Sequence, residues 1–144
     1  MPISYHPKPG QLMLCDFSQG FKEPEMVKSS RPVIILSGNI AARANLATVV
    51  ACSTVEPEVV RNYHYKLPAH SMPKTKHFMG RDTWVKGDMV YTVAFHRLDA
   101  VCIGRDDRGK RIYYTAKLGR EQMREIYRCV LHGIGMGFLC QYVI

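Results

Sequence analysis

No stretch of this sequence approaches the roughly twenty consecutive apolar residues that a membrane-spanning helix needs, so a soluble protein is expected. Residues 1–11 hold prolines, a histidine and a lysine where a secretory leader would place an apolar run. The five cysteines, Cys15, Cys52, Cys102, Cys129 and Cys140, include no C-x-x-C pair, and an odd number cannot close completely into intramolecular bridges. Zinc fingers and disulfide scaffolds are disfavoured, and a reducing cytoplasm is the expected compartment. No carboxylate or Cys/His cluster has metal-ligand spacing, so neither metal nor cofactor is expected. Internal repeats and low-complexity tracts are missing too. Acidic residues are few: twelve Asp and Glu stand against twenty Lys and Arg, a net charge of +8 that favours a polyanionic partner without naming it.

What remains is an ordinary globular composition. With 47% apolar and 22% charged residues over 144 positions, the chain can bury a real core, and a single domain over 1–144 is expected. Strand-like runs occupy 11–17, 32–37, 47–52, 63–67, 89–93, 101–104 and 111–115, separated by turn formers. Val33-Ile34-Ile35-Leu36 and Val49-Val50-Ala51-Cys52 are continuous apolar runs, the pattern of strands covered on both faces, so these two should be central. Asp106-Asp107-Arg108-Gly109-Lys110 suits a hairpin turn between the last two strands. After Leu118 the period changes: Met123, Ile126, Tyr127, Val130 and Leu131 fall on one helix face, predicting a helix over 120–132 packed on the sheet. Gly133, Gly135 and Gly137 should end it, each costing about 1 kcal/mol relative to alanine within a helix.

Residues 56–86 form a longer connection than usual, and long segments of this kind are often functional. From Arg61 to Lys86 there are six basic residues against Asp82 alone, interleaved with Tyr63, Tyr65, Phe78 and Trp84. That mixture suits single-stranded RNA, whose phosphates need cations and whose bases stack on rings. It suits equally a solvated loop with its aromatics turned into the core. His64, His70 and His77 read as exposed loop histidines, and Arg120, Arg124 and Arg128 as a solvated helix face.

A more specific signal is the order of three segments. Pro9-Gly10-Gln11-Leu12-Met13-Leu14-Cys15-Asp16-Phe17 leads through a polar loop to Lys28-Ser29-Ser30-Arg31-Pro32-Val33-Ile34, and then comes Val49-Val50-Ala51-Cys52-Ser53-Thr54. The set resembles the MazF/PemK toxins over roughly 9–137, with Arg31-Pro32-Val33 and Ser53-Thr54 matching in order and spacing. The resemblance implies a mainly β fold with a C-terminal helix, an SH3-like barrel of the MazF/PemK/CcdB kind, usually a homodimer. It further implies the toxin of a type II toxin-antitoxin system, an endoribonuclease that cuts single-stranded mRNA at short sequences and is held in check by a cognate acidic antitoxin.

Cleaving RNA without metal requires the ribose 2′-hydroxyl to attack the adjacent phosphorus, and charge then gathers on the phosphoryl oxygens. Arg31 suits that charge, because a guanidinium stays protonated and donates two hydrogen bonds at once. Thr54, supported by Ser53, would add a hydroxyl donor to the same oxygens. Lys28, His96 and Arg97 would bind neighbouring substrate groups. The match departs from the family in Val93-Ala94-Phe95-His96-Arg97-Leu98-Asp99 and just before it, where Tyr91 and Val93 replace an Arg and an Asp of some members. The proton-transfer group is therefore open, His96 being a candidate. Two other classes compete: a CcdB-like inhibitor of DNA gyrase without enzymatic activity, and a plain nucleic-acid-binding barrel.

Overall fold

The computed structural model of the chain describes residues 3–37, 39–78 and 80–144. Its strands are β1 (Leu12–Cys15), β2 (Arg31–Ser37), β3 (Leu46–Ser53), β4 (His64–Leu67), β5 (Thr83–Ala94), β6 (Leu98–Ala100), β7 (Cys102–Arg105) and β8 (Arg111–Tyr113), followed by helix α1 (Arg120–Gly133). Short 3-10 turns occupy Ala69–Ser71, Phe95–Arg97 and Gly137–Tyr142. Among the described residues, six strands pair in the order β4-β5-β3-β2-β1-β6, antiparallel throughout, while β7 and β8 pair with each other. Among the described residues the edge strands β4 and β6 have no second partner, so the SH3-like barrel that the resemblance implies is left open here. None of the described helices is long and apolar enough to cross a membrane.

β2 and β3 lie inside the sheet and bury both faces, as their unbroken apolar runs require. Val33, Ile35, Val49 and Ala51 point into one core layer, closed over by Ile3, Phe17, Met26, Phe95 and Leu98. Ile34, Val50 and Cys52 point into the other, where Met123 and Ile126 of α1 pack on Leu12, Leu67 and Val85. Ile126 is fully buried, and truncating such a side chain to alanine costs about 2–5 kcal/mol. The helix begins with Gln122 accepting from the Gly119 N–H at 3.2 Å. After its last residue, Gly133, the chain turns through Gly135 at φ +79°. The expected hairpin is present: Asp106 N donates to Lys110 O, and Asp106 Oδ1 accepts from the N–H groups of Arg108 and Lys110.

β5 is where sequence and structure differ most. It starts six residues before the expected 89–93, and Thr83, Trp84 and Val85 are buried in it. Between the pairs Val50↔Val90 and Cys52↔Val85, β5 spends four residues, 86–89, where β3 spends one, Ala51. This bulge breaks the alternation that would have revealed a long strand. At its centre Gly87 donates to Tyr63 O at 2.7 Å. A Cβ on Gly87 would land on the carbonyl of Cys129, and one on Gly133 would land on the backbone of Gly87. Two glycines thus let the end of α1 sit directly on the bulge.

Candidate active site

Arg31 opens β2, opposite Cys15 of β1. Continuing the Val33↔Ala51 pairing two residues toward this end sets it against Ser53, the last residue of β3. The proline that follows favours extended backbone at Arg31, which holds it in the strand. Its side chain is half-buried, and Nη1 donates to the carbonyl of Cys52 at 3.3 Å. Among the described residues it makes no ion pair. Burial pushes the guanidinium down from its ordinary value, and Cys52 acts in the opposite sense. The Cys52 thiol is itself pushed up to about 12 by burial, with Arg31 lowering it. A neutral thiol and a carbonyl therefore flank a cation that pairs with no carboxylate among the described residues, and an arginine in this setting is still charged at neutral pH.

In front of Arg31 lies a cavity of about 560 Å³, walled by residues 23–28, Arg31, Lys86 and Met89. The wall at 23–28 belongs to the β1–β2 connection, which is fastened at several points. Phe17 N donates to Lys28 O at 2.8 Å across its base, and Met26 N donates to the Tyr91 hydroxyl at 3.2 Å. The rings of Phe17, Phe21 and Tyr91 pack with centroids 5.0–5.5 Å apart beneath it. The β5 bulge adds Lys86 and Met89 to the same lining. Three cations, Lys28, Arg31 and Lys86, thus share the cavity with the carboxylates of Glu23 and Glu25.

Of the residues singled out in the sequence, Arg31 and Lys28 meet in this cavity, with Ser53 and Thr54 at the adjoining strand end. Ser53 is buried, its Oγ accepting from Val55 N at 3.1 Å, so it closes the turn after β3. Thr54 is half-buried, and its hydroxyl makes no hydrogen bond among the described residues. His96 and Arg97 lie elsewhere. Arg97 donates from Nη1 to Asp16 O at 3.0 Å and stacks its guanidinium 4.9 Å from the centre of Phe21, bracing the β1–β2 connection. It lines a cleft of about 60 Å³ with Ser29, Ser30 and Asp99. His96 is exposed at another cavity, beside Ile3, Ser4 and Asn45. Sequence reasoning missed Lys86 and Met89 as individuals, although Lys86 closes the basic run from Arg61. Within that run, Phe78 and Trp84 are buried, which turns these two rings into core rather than stacking platforms.

A model of the PemK-like, MazF-like toxins of type II toxin-antitoxin systems matches residues 8–132. The chain belongs to this family. No curated protein matches the chain. Among solved structures, MazF (form I) from Deinococcus radiodurans is 19% identical, with a TM-score of 0.58 over 92% of this chain and 100% of that one. An endoribonuclease from mycobacterial species is 17% identical, with a TM-score of 0.57 over 92% and 94%. Another, in complex with its cognate antitoxin, is 19% identical, with a TM-score of 0.55 over 90% and 96%. These likenesses establish the MazF fold, so the mainly β architecture with its C-terminal helix is as expected even though the sheet stays open. Arg31 and the cavity before it fall inside the family region.

Proposed function

We propose that the chain is the toxin of a type II toxin-antitoxin pair and acts as an endoribonuclease on single-stranded RNA in the cytoplasm, as a homodimer. The observation that carries this is Arg31, a half-buried arginine with no ion pair among the described residues, facing a cavity that also holds Lys28 and Lys86. Family membership and the endoribonuclease neighbours support the same reading.

In the reaction, the ribose 2′-hydroxyl attacks the adjacent phosphorus and the 5′-oxygen leaves, giving a cyclic phosphate and a 5′-hydroxyl. Negative charge builds on the non-bridging oxygens. Arg31 spends one donor on Cys52 O, and its remaining N–H groups serve those oxygens. Thr54, whose hydroxyl makes no hydrogen bond among the described residues, adds a donor from just beyond the end of β3. Lys28 and Lys86 bind flanking phosphates, Ser53 keeps the strand end in shape, and Arg97 and His96, at two other cavities, are left to contact more distant parts of a longer RNA. The test is purified chain with single-stranded RNA in EDTA, products analysed for cyclic phosphate and 5′-hydroxyl ends. Intact RNA together with inhibited DNA supercoiling would move the assignment to a gyrase poison. RNA binding without cleavage would leave a binding barrel.

A further inference from the structure

A second group of chemistry-bearing side chains takes no part in the Arg31 cavity. Cys140 Sγ stands 3.5 Å from Nε2 of His132, and Nδ1 of the same ring stands 3.3 Å from Nδ2 of Asn62. The other neighbour of the sulfur is the carbonyl of Arg128, at 3.7 Å. The segment after α1 folds back to make this contact, and a Cβ at Gly137 would meet the His132 ring at 2.5 Å, so a larger residue there would have to displace the ring. The family match ends at His132, and Cys140 lies beyond it.

We propose that Cys140 is a peroxide-reactive thiol, with His132 as its proton acceptor and Asn62 holding the ring. The thiolate is the nucleophilic form of cysteine, and an imidazole in contact with the sulfur provides a base for its proton. When Asn62 Nδ2 donates to Nδ1, the neutral ring carries its hydrogen on Nε2, beside the sulfur. A half-turn of the exposed carboxamide offers Oδ1 to an Nδ1–H and frees Nε2 to accept the thiol proton. One side chain with both donor and acceptor thereby supports the neutral and the protonated ring.

The chemistry closes with hydrogen peroxide as the oxidant. Nε2 takes the thiol proton and the sulfur attacks one peroxide oxygen. The S–O bond forms, the O–O bond breaks, and the leaving hydroxide recovers the proton from the imidazolium as water. Sulfur is oxidised to sulfenic acid and peroxide is reduced. The other thiols supply the comparison: Cys15, Cys52 and Cys129 are buried, while Cys102 is exposed with a carbonyl, Gly104 O, as its contact.

The experiment treats the full chain with hydrogen peroxide and dimedone and follows labelling of each cysteine by peptide mass spectrometry. Cys140, though half-buried, should label about tenfold faster than exposed Cys102, because it has a base at hand. His132→Gln should bring Cys140 to or below the Cys102 rate while the Cys102 rate stays constant. Cys140 no faster than Cys102, or unaffected by His132→Gln, overturns the proposal. Should His132→Gln loosen the fold, Cys15 and Cys52 will label as well, and Asn62→Ala at its exposed position decides: a several-fold slower Cys140 supports the role, and an unchanged rate overturns it.

Discussion

Nη1 of Arg31 donates to the carbonyl of Cys52 at 3.3 Å, beside a thiol that burial keeps neutral. One hydrogen bond aims the guanidinium, and among the described residues no carboxylate forms an ion pair with it. Arg31→Ala should therefore lower kcat by about 100- to 1,000-fold, the range for a lost oxyanion donor. The fold should lose only the roughly 0.5–1.5 kcal/mol of one hydrogen bond. Arg31→Lys keeps the charge without the fork and should recover little activity. RNA cleavage rates and urea unfolding of the two variants measure both effects; an unfolded Arg31→Ala protein would make the residue structural.

Gly87 and Gly133 touch backbone to backbone, which joins α1 to the bulge presenting Lys86 and Met89. Gly87→Ala drives a methyl into the Cys129 carbonyl, and something must move. Overpacking of this kind costs about 1–3 kcal/mol. The variant should melt lower and cleave RNA more slowly than its remaining folded fraction explains, since the Lys86 wall shifts. Normal specific activity of the folded protein would separate the bulge from the site.

Alkaline pH should weaken the fold through Cys52. Unfolded, its thiol ionises above 9.0; folded, it stays protonated to about 12. Between those values the unfolded state binds fewer protons, so stability falls as pH rises, by about 1.4 kcal/mol per pH unit for one thiol. Below 9.0 the contribution is fully present. Urea unfolding at pH 8 and pH 10 should show a steeper loss for wild type than for Cys52→Ala, and equal slopes would contradict the buried neutral thiol.

The parts legible in the sequence are those encoded by periodicity. Val33 to Leu36 and Val49 to Cys52 declare strands buried on both faces, and Met123, Ile126 and Val130 declare the helix that covers one of them. Arg31 and Lys28 were legible because they flank the start of such a strand. Lys86 and Met89 were not, since the three extra residues of the bulge destroy the alternation that would have assigned them a face. His96 and Arg97 show the converse failure. They are adjacent in sequence, but successive residues of a 3-10 turn point about 120° apart, and so they line different cavities.

Binding of RNA should weaken steeply with salt, because each phosphate contact releases condensed counterion. On a single strand the slope of log K against log salt changes by about 0.7 per contact. Lys28→Gln and Lys86→Gln should each flatten it by about that amount. Lys74, Lys76 and Arg81 are exposed outside the cavity wall, and their joint replacement measures whether the RNA path extends past it. A slope indifferent to Lys28 and Lys86 would remove phosphate from the cavity.

Control of such an enzyme should act on the same cations. A ribonuclease active in its own cytoplasm needs an inhibitor, and a cavity holding Lys28, Arg31 and Lys86 attracts an acidic, flexible peptide as readily as it attracts RNA. The two cannot occupy it together. The β1–β2 connection is the wall such a peptide must touch, and it is ready to register the contact. Among the described residues, hydrogen bonds hold the amides of Phe17, Ser18, Lys22, Glu25 and Met26, while those of Gln19, Gly20, Phe21, Glu23 and Val27 have no acceptor and are open to exchange. An antitoxin encoded beside this chain, with an acidic tail, should suppress cleavage, rescue growth of cells making the toxin, and slow hydrogen exchange across residues 18–31. Raised salt should weaken its grip together with that of RNA, while Arg31→Ala should weaken it at constant salt. A neighbour that rescues growth yet leaves 18–31 unprotected would act elsewhere on the surface, and competition at the cavity would then be wrong.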